Sequence, residues 1–383
     1  MATENNNKTL NVPNLRFPEF NGEWERCSLG EITTNFSRRN KEEVRYPMFS
    51  VTNNRGFVPQ SEQFEDREMV GEDIKAYKII HKNDFAYNPA RINVGSIAKY
   101  NGDEPCMISS LYVCFTADKR LDNEWLMQLL KTPKMNFYYN INGEGGVRVY
   151  LFYPNFARIK TSFPSLQEQQ KISSFLALLD ERIATQIKII EDLKKLKSAI
   201  SNEIFEHTSN RKCELKEIVS VIMGQSPSSH AYNNNADGLP LIQGNLDIEN
   251  GQLSPRIYTS EITQTCECGD VILTVRAPVG EIAIAQQEAC IGRGVCSIRP
   301  HKKENANLIY QFLQYFKPKW ISLEQGSTFT AVSGTDIRGI EVSIPSTDKI
   351  QLLDVYDNKI RVESRIHTNL IQQKQYLLAQ MFI

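Results

Sequence analysis

The chain has 383 residues, of which 41% are hydrophobic and 23% are charged, and its formal net charge is −1. This length leaves room for two domains that each bury a core of their own. The balanced charge excludes a uniformly basic protein that coats nucleic acid. No apolar run approaches the length needed to span a bilayer, and the polar, asparagine-rich start is unlike a secretory signal. We therefore expect a cytoplasmic protein without a membrane partner.

Residues 1–165 are predicted to form a first domain of mixed α and β structure. Short runs rich in Val, Ile and Phe, bounded by Asn, Gly and Pro, predict its strands. Two markers follow one another along the chain: an arginine turn, Asn88–Arg91, and the pentad Val-Gly-Ser-Ile-Ala at 94–98. A helical segment is predicted after them, at Trp125–Leu130.

A long amphipathic helix is predicted next, from about Leu166 to Phe205, and we assign residues 166–210 to this helical segment. Its apolar positions recur in steps of three and four, which makes one continuous stripe. The stripe includes Leu179, Ile183, Ile187, Ile190, Leu193, Leu196 and Ile200, and it ends at Ile204. Glu168 and Glu181 stand beside lysines, and this pattern predicts that both carboxylates face solvent.

Residues 211–346 repeat the order of elements of the first domain. The pentad returns as Val-Gly-Glu-Ile-Ala at 279–283, again after a turn that contains an arginine. Further matches are Tyr46–Phe49 with Leu239–Ile242, Asp84 with Asp270, and Cys106 with Cys290. A repeat of about 180 residues is far longer than a solenoid unit, so it indicates a duplicated domain.

A second long helix is predicted from about Thr347 to Phe382, within residues 347–383, at a constant offset of 177 from the first. Its apolar stripe includes Ile360, Ile366, Leu370 and Leu377. Each stripe could pack on its own domain, but a stripe of about 26 residues favours a coiled-coil pair. The predicted fold class is α+β: two similar mixed α/β domains in a pseudo-two-fold arrangement, joined by two long antiparallel coiled-coil helices.

The eight cysteines form no CxxC pair, and only five histidines accompany them. This composition is a poor basis for a metal site, so we predict none. Small buried hydrophobic side chains are the role that we expect for the cysteines.

Several motifs of the chain stand in the same order as in one known family. They are Pro47-Met-Phe-Ser-Val-Thr52, Asn88–Ala98, Pro164-Ser-Leu-Gln-Glu-Gln-Gln-Lys-Ile172, Met223-Gly-Gln-Ser-Pro227, Arg276–Ala285 and Cys290–Cys296. Together they resemble the specificity subunit of type I restriction-modification systems, from about Phe17 to Ile383. The second helix departs from the pattern, because Pro345–Ile350 lacks the Glu-Gln-Gln segment.

The resemblance implies a non-catalytic subunit that binds double-stranded DNA. It would read a bipartite target, with one half-site for each target recognition domain. The two helices would act as spacers that set the gap between half-sites and dock two methyltransferase subunits, and restriction and translocase subunits would join for cleavage. The chain itself is expected to bind no cofactor; S-adenosylmethionine, Mg and ATP are expected on the partner subunits.

Candidate base-reading residues follow the first apolar strand of each domain and surround the arginine turns. Base edges are read by side chains with paired donors or with mixed donor and acceptor groups, such as Arg, Asn and Gln. The candidates are Thr52, Asn53, Asn54, Arg55, Asn88, Arg91 and Asn93 in the first domain, and Gln243, Asn245, Asp247, Arg276 and Arg293 in the second. Arg91 and Arg276 could instead buttress the turns that carry them. Candidate phosphate contacts are Arg38, Arg39, Lys41, Arg148, Lys302 and Lys303.

Two other functions fit the sequence less well. A methyltransferase would need a second proline and an aromatic residue in the Asn88–Arg91 loop to hold a flipped base, and a nuclease would need more carboxylates than Asp73-Ile74-Lys75 supplies. The near-neutral charge also permits a protein-interaction scaffold, built from duplicated domains, that never touches DNA. Against the scaffold stand the polar and basic residues at matching loop positions in both domains.

Overall fold

The computed structural model describes residues 10–62, 74–145, 149–206, 211–249, 251–320 and 331–383. The chain divides into two compact units: unit 1 contains residues 1–184 and 368–383, and unit 2 contains residues 185–367. Both divisions fall inside long helices, so each unit contains part of both helices.

Unit 1 combines short strands with mostly short helices. Its strands are β1 (Glu25–Ser28), β2 (Thr33–Phe36), β3 (Phe49–Thr52), β4 (Gly56–Pro59), β5 (Lys78–Ile80), β6 (Phe85–Tyr87), β7 (Ile97–Lys99), β8 (Cys106–Ile108), β9 (Val113–Ala117) and β10 (Lys160–Phe163). Its helices are α1 (Leu29–Ile32), α2 (Asn123–Leu130), α3 (Pro133–Asn142), α4 (Tyr153–Ala157) and the first part of α5 (Leu166–Glu206). Asp122 and Thr132 cap α2 and α3, since their side chains accept backbone N–H groups of the first turn.

Unit 2 is richer in strands. These are β11 (Lys212–Glu214), β12 (Val219–Met223), β13 (Tyr232–Asn233), β14 (Leu239–Ile242), β15 (Ile248–Glu249), β16 (Gln252–Leu253), β17 (Ile257–Thr259), β18 (Thr265–Cys266), β19 (Val271–Thr274), β20 (Ile282–Ile284), β21 (Ala289–Ile291), β22 (Val295–Pro300) and β23 (Glu341–Ser343). Its helices are the second part of α5, α6 (Ala306–Phe316), α7 (Gly334–Arg338) and α8 (Thr347–Met381), and the end of α8 belongs to unit 1.

The two units share one strand order, which confirms the predicted duplication. In unit 1 the order is β2-β9-β6-β7, and in unit 2 the sheet begins β12-β22-β19-β20, with antiparallel neighbours throughout both runs. An antiparallel pair stands apart in each unit, β1 with β10 and β11 with β23. The parallel bridge from Met48 to Met107 recurs between Leu241 and Cys290. Cys290 therefore corresponds to Met107 and not to Cys106, one residue away from the match made on the sequence.

The repeated pentad builds the same backbone in both units. Gly95 and Gly280 have φ angles of 98° and 94°, in the left-handed region that favours glycine. Beside Gly280, a Cβ atom would lie 2.5 Å from the Trp320 ring. The Ile and Ala that close each pentad are buried in the sheets. The pentad is thus a structural element of the frame.

A phenylalanine at the end of each long helix packs into the core of one unit. Phe205 of α5 meets Phe312 in the unit 2 core, with ring centroids 5.6 Å apart. Phe382, just after α8, stacks on Trp125 in the unit 1 core at 5.7 Å. Burying one such side chain contributes about 1.5–3 kcal/mol. The offset of 177 between these two residues therefore reflects equivalent packing.

The two long helices are paired and antiparallel in unit 2, as predicted. Gln186 Nε2 lies 2.6 Å from a carboxylate oxygen of Glu363, and Lys197 Nζ lies 2.6 Å from Asp357. Residue numbers therefore rise along α5 while they fall along α8. In unit 1, Lys374 and Asp180 form the counterpart of the second pair at 2.5 Å, with both partners displaced by 177.

The predicted apolar stripes are unevenly buried. On α5, Leu179, Ile183, Ile190, Leu193 and Ile200 are half-buried, whereas Ile187 and Leu196 are exposed. On α8, Leu370 and Leu377 are buried, Ile360 is half-buried and Ile366 is exposed. A buried polar residue, Gln186, lies within the helix pair, because it hydrogen-bonds Glu363. All eleven residues remain candidate positions for helix and partner contacts.

Glu168 does not face solvent, which corrects the expectation from the sequence. Its side chain is 2% exposed and forms an ion pair of 2.7 Å with Arg16, and Trp24 Nε1 donates to it at 3.3 Å. The reason is tertiary: the segment before β1 packs over the first turn of α5, which helical periodicity cannot reveal. Glu181 is exposed, as expected.

Seven of the eight cysteines are buried, and only Cys268 is exposed. Burial raises the pKa of the Cys106, Cys114 and Cys296 thiols to about 12. These thiols therefore stay protonated at neutral pH and pack as small apolar side chains. Among the residues that the structure describes, no group of three or more His, Cys, Asp or Glu side chains is placed to hold a metal ion. No helix in the described ranges is both long and apolar enough to cross a membrane.

Candidate nucleic-acid interface

Unit 2 contains an open, polar cleft of about 570 Å³. Four of the five candidates from this half of the chain line it together: Gln243, Asn245, Arg276 and Arg293. The remaining lining residues are Ser226, Pro227, Ser229, Tyr232, Gly244, Ala277 and Gly294. Residues that are separated by up to 50 positions in the sequence thus meet in one site.

Three strand ends bring these side chains to the cleft. Gln243 follows β14 directly, Arg276 lies two residues beyond β19, and Arg293 lies two residues beyond β21. Since β14 and β21 are parallel neighbours, their ends reach the same edge of the sheet. An antiparallel β-bridge to Ala331 fixes the backbone of Arg276. The cleft is therefore a product of strand order.

Glycines let the cleft loops approach one another closely. A Cβ atom on Gly294 would lie 2.0 Å from the carbonyl oxygen of Gln243, and one on Gly224 would lie 2.1 Å from that of Gly292. Real Cβ atoms do not approach a carbonyl oxygen so closely, so a side chain at Gly294 or Gly224 would force the loops apart. Arg293, between two of these glycines, is the exposed residue of its loop.

Asp247 is buried and anchors one wall of the cleft. Its side chain is 4% exposed, and its carboxylate accepts the backbone N–H of Gln243 at 2.8 Å and an N–H of Arg256 at 3.0 Å. The expectation that Asp247 itself reads a base is therefore wrong, because both carboxylate oxygens already bind protein donors. The residue shapes the loop that presents Gln243 and Asn245.

The cleft is cationic. Arg276 and Arg293 are exposed, and neither side chain forms an ion pair or a hydrogen bond within the described part of the chain. No acidic residue is among the described residues that line the cleft. An anion such as a phosphate, or the acceptor-rich edge of guanine, would find uncompensated donors here.

The side chains of Arg91 and Arg276 do not stabilise the turns in which they lie. In unit 2, Thr274 Oγ1 donates to the Pro278 carbonyl at 2.8 Å and accepts the N–H of Glu281 at 2.9 Å. In unit 1, Asn88 stabilises the turn, because its side-chain oxygen accepts the backbone N–H of Ala90. Within the described ranges Arg91 is exposed and forms no side-chain hydrogen bond or ion pair. Both guanidinium groups are thus exposed and have no side-chain partner among the described residues.

Unit 1 does not gather its candidates in one cleft. Thr52 closes the β3–β4 hairpin, where its hydroxyl accepts the N–H of Arg55 at 3.1 Å. The Arg55 side chain lies in a separate cleft of about 360 Å³ and forms an ion pair of 2.7 Å with Glu62. Asn93 donates to Asn140 at 3.1 Å.

Asn53 and Asn54 are exposed in the hairpin turn of unit 1. The carbonyl oxygen of Asn53 lies close to Gly95, where an added Cβ atom would be 3.1 Å away. Asn53 therefore adjoins the loop that carries Arg91 and Asn93, whereas Arg55 points into the other cleft.

Among the lining residues that were not candidates, Ser226 and Tyr232 form hydrogen bonds with candidate residues. Ser226 Oγ accepts the backbone N–H of Arg293 at 3.1 Å. The hydroxyl of Tyr232 accepts a side-chain amide N–H of Gln243 at 2.9 Å. Ser226 belongs to the Met223–Pro227 motif, so that motif was the available signal. Tyr232 lies in a segment without any pattern, and only the fold reveals it.

One candidate phosphate contact has another role. Arg38 donates to both carboxylate oxygens of buried Asp84 at 2.7 Å. In unit 2 the equivalent aspartate, Asp270, is also bound by an arginine, Arg299, but this arginine lies on β22, whereas Arg38 follows β2. Arg148 and Asp73 lie outside the described residues.

These features define a class of protein: a duplicated α/β protein with two recognition units, paired long helices and a cationic cleft. The family model for the type I restriction modification DNA specificity domain matches residues 21–195 and again residues 209–372. The chain belongs to this family of DNA specificity proteins.

Similar proteins agree with this assignment. The chain is 26% identical, over 374 residues, to a Methanocaldococcus jannaschii protein named for the specificity subunit of the type I restriction enzyme MjaX, covering 89% of this chain and 88% of that protein. It is 26% identical over 181 residues to the MjaIX specificity subunit of the same organism, covering 42% and 40% of the two chains.

Solved structures share the fold. A chain from a type I restriction-modification system superposes with a TM-score of 0.64 at 22% identity, covering 93% of this chain and 96% of that chain. The specificity subunit of M. genitalium gives a TM-score of 0.59 at 15% identity, covering 97% and 99%. The predicted fold class of two recognition domains and long spacer helices is confirmed.

Proposed function

We propose that this chain is the DNA-reading specificity subunit of a type I restriction-modification complex and that it reads a bipartite target. Each unit would contact one half-site. The observation that carries this proposal is the unit 2 cleft, in which a glutamine, an asparagine and two arginines converge from three strand ends, and neither arginine side chain has a partner among the described residues. These are the residue types that read base edges in the major groove.

The chain would act without catalysing a reaction itself. It would dock two methyltransferase subunits and, through them, restriction and translocase subunits. S-adenosylmethionine, Mg and ATP would bind those partners and not this chain. The family assignment and the names of the similar proteins, which are specificity subunits of restriction enzymes, support this division of labour.

The spacer helices would set the gap between the half-sites. Helix α5 belongs to both units, and its 41 residues correspond to a rod of roughly 62 Å. Inserting four residues near Lys194 should change the tolerated gap or abolish binding. A variant that keeps the original gap would contradict the spacer role.

Mapping N6-methyladenine across the host genome, with and without this gene, tests the function directly. We expect one bipartite methylated motif that disappears when the gene is deleted and returns when it is restored. An unchanged map would favour the protein-interaction scaffold instead. The same map supplies the target sequence, against which each variant below is compared.

A further inference from the structure

A chain of two hydrogen bonds runs from the backbone to the amide of Gln243. The hydroxyl of Tyr232 donates to the carbonyl oxygen of Pro227 at 3.2 Å. The same hydroxyl accepts from Nε2 of Gln243 at 2.9 Å. All three residues line the unit 2 cleft.

These two hydrogen bonds determine whether the oxygen or the NH₂ group of the Gln243 amide faces Tyr232. A carbonyl oxygen can only accept, so the single hydroxyl proton of Tyr232 is committed to Pro227. The oxygen of Tyr232 is then only an acceptor towards Gln243. An amide turned the other way would place two acceptors against each other, so Gln243 has to present its NH₂ group to Tyr232 and leave Oε1 free.

The other end of the glutamine is fixed as well. Its backbone N–H donates to the buried carboxylate of Asp247 at 2.8 Å, and Asp247 is held in turn by Arg256. The main chain and the side-chain tip of Gln243 are therefore both anchored. Little conformational entropy remains to be lost when the residue meets a ligand.

We propose that Tyr232 is a positioning residue that locks the Gln243 amide in the orientation that reads adenine. This inference rests on the proposed function. The free groups of the locked amide are the acceptor Oε1 and one Nε2–H, which match the N6 donor and the N7 acceptor of adenine in the major groove. Guanine offers two acceptors there, O6 and N7, and would oppose Oε1.

The described residues of unit 1 contain no counterpart of this lock. Strand pairing aligns Leu241 with Met48, so the counterpart of Gln243 in unit 1 is Ser50. Ser50 carries a hydroxyl in place of the glutamine amide, and this hydroxyl accepts from Gln60 Nε2 at 3.0 Å. Unit 1 therefore serves as an internal control for any change at Tyr232.

The experiment maps N6-methyladenine motifs for the whole complex carrying Tyr232→Phe, Gln243→Ala or the control Tyr258→Phe. Tyr258 lies on the adjoining strand β17, is also half-buried, and its hydroxyl has no hydrogen bond to the described residues. We expect Tyr232→Phe and Gln243→Ala to relax the same single adenine position of one half-site, by about 5- to 150-fold in discrimination, the range of a bidentate base contact. The other half-site and the Tyr258→Phe motif should not change.

Two results would overturn the positioning role: an unchanged motif for Tyr232→Phe, or relaxation at a different position from Gln243→Ala. If the wild-type complex yields no bipartite motif at all, the proposed function fails instead, so the two failures are distinct. Should Tyr232→Phe not fold, Gln243→Glu answers the question, because a carboxylate of the same shape cannot donate to N7. Retained adenine preference in Gln243→Glu would then reject the proposal.

Discussion

The two units share a frame and differ in the loops that the frame carries. In unit 2 the polar candidates meet in one cleft, whereas in unit 1 they are divided between the hairpin turn, the Arg91 loop and a second cleft. The strand order and the left-handed glycine of the pentad are the same in both. Duplication thus preserved the elements that pack and left the loops free to diverge.

One loop accounts for much of the difference. Strand pairing aligns β8 with β21, so Ser110 and Leu111 of unit 1 stand where unit 2 has Arg293 and Gly294. Unit 1 therefore has no arginine at this point, and Leu111 is 77% exposed. If each unit reads one half-site, as proposed, such different loops predict half-sites that are unlike in sequence.

The largest effect on stability is expected at Gly294, where unit 1 has Leu111 instead of a glycine. Gly294→Ala places a methyl group 2.0 Å from a backbone carbonyl oxygen, and we expect a loss of about 3 kcal/mol in the stability of unit 2. Denaturant unfolding measures this loss. Gly244→Ala is the matched control, because its φ of 178° suits any residue and nothing lies within 4 Å of the added atom. Equal stability of the two variants would refute the close approach.

A smaller effect is expected from the cationic residue of that loop. Arg293→Ala should weaken binding to the target duplex by about 10-fold, because an unpaired donor group leaves the cleft. Titrations at several salt concentrations separate two mechanisms. A phosphate contact weakens binding to all sequences and lowers the salt slope by about one, whereas a base contact relaxes one position. Ser110→Ala is the control in unit 1. An equally large loss of affinity in this variant would contradict the proposed difference between the two loops.

The smallest effect is expected in unit 1. Arg55 already binds Glu62, and both side chains are exposed, so its ion pair competes with DNA. Arg55→Ala should reduce affinity by only about two-fold, and only for the half-site that unit 1 reads. Glu62→Gln should act in the opposite direction by freeing the guanidinium. Competition binding with duplexes altered in one half-site measures both, and a change on the other half-site would contradict the assignment.

Local patterns predicted the elements well. The long helices were predicted to run from about Leu166 to Phe205 and from about Thr347 to Phe382, and the structure has α5 and α8 within one residue of these ends. Helical periodicity and capping are short-range properties, so they can be seen in one sequence. The duplication was equally visible, because packing keeps the buried positions of both copies similar.

Periodicity was less informative about which side chains are buried. Gln186 is buried although it is polar, and Ile187 beside it is exposed. Both depend on the partner helix, because an amide can be buried where Glu363 supplies its hydrogen bond. The burial of Glu168 likewise depends on Arg16, which lies 152 positions away in the sequence.

The sequence by itself determined the duplicated α/β architecture, the two long helices and the residue types suited to reading DNA. Each of these depends on composition, spacing or repetition along the chain. Only the tertiary structure decided which candidates share a site, because strand order brings Gln243, Arg276 and Arg293 together while Asp247 is withdrawn into the protein. It also decided the direction of the Gln243 amide, since hydrogen-bond direction depends on neighbours that folding supplies.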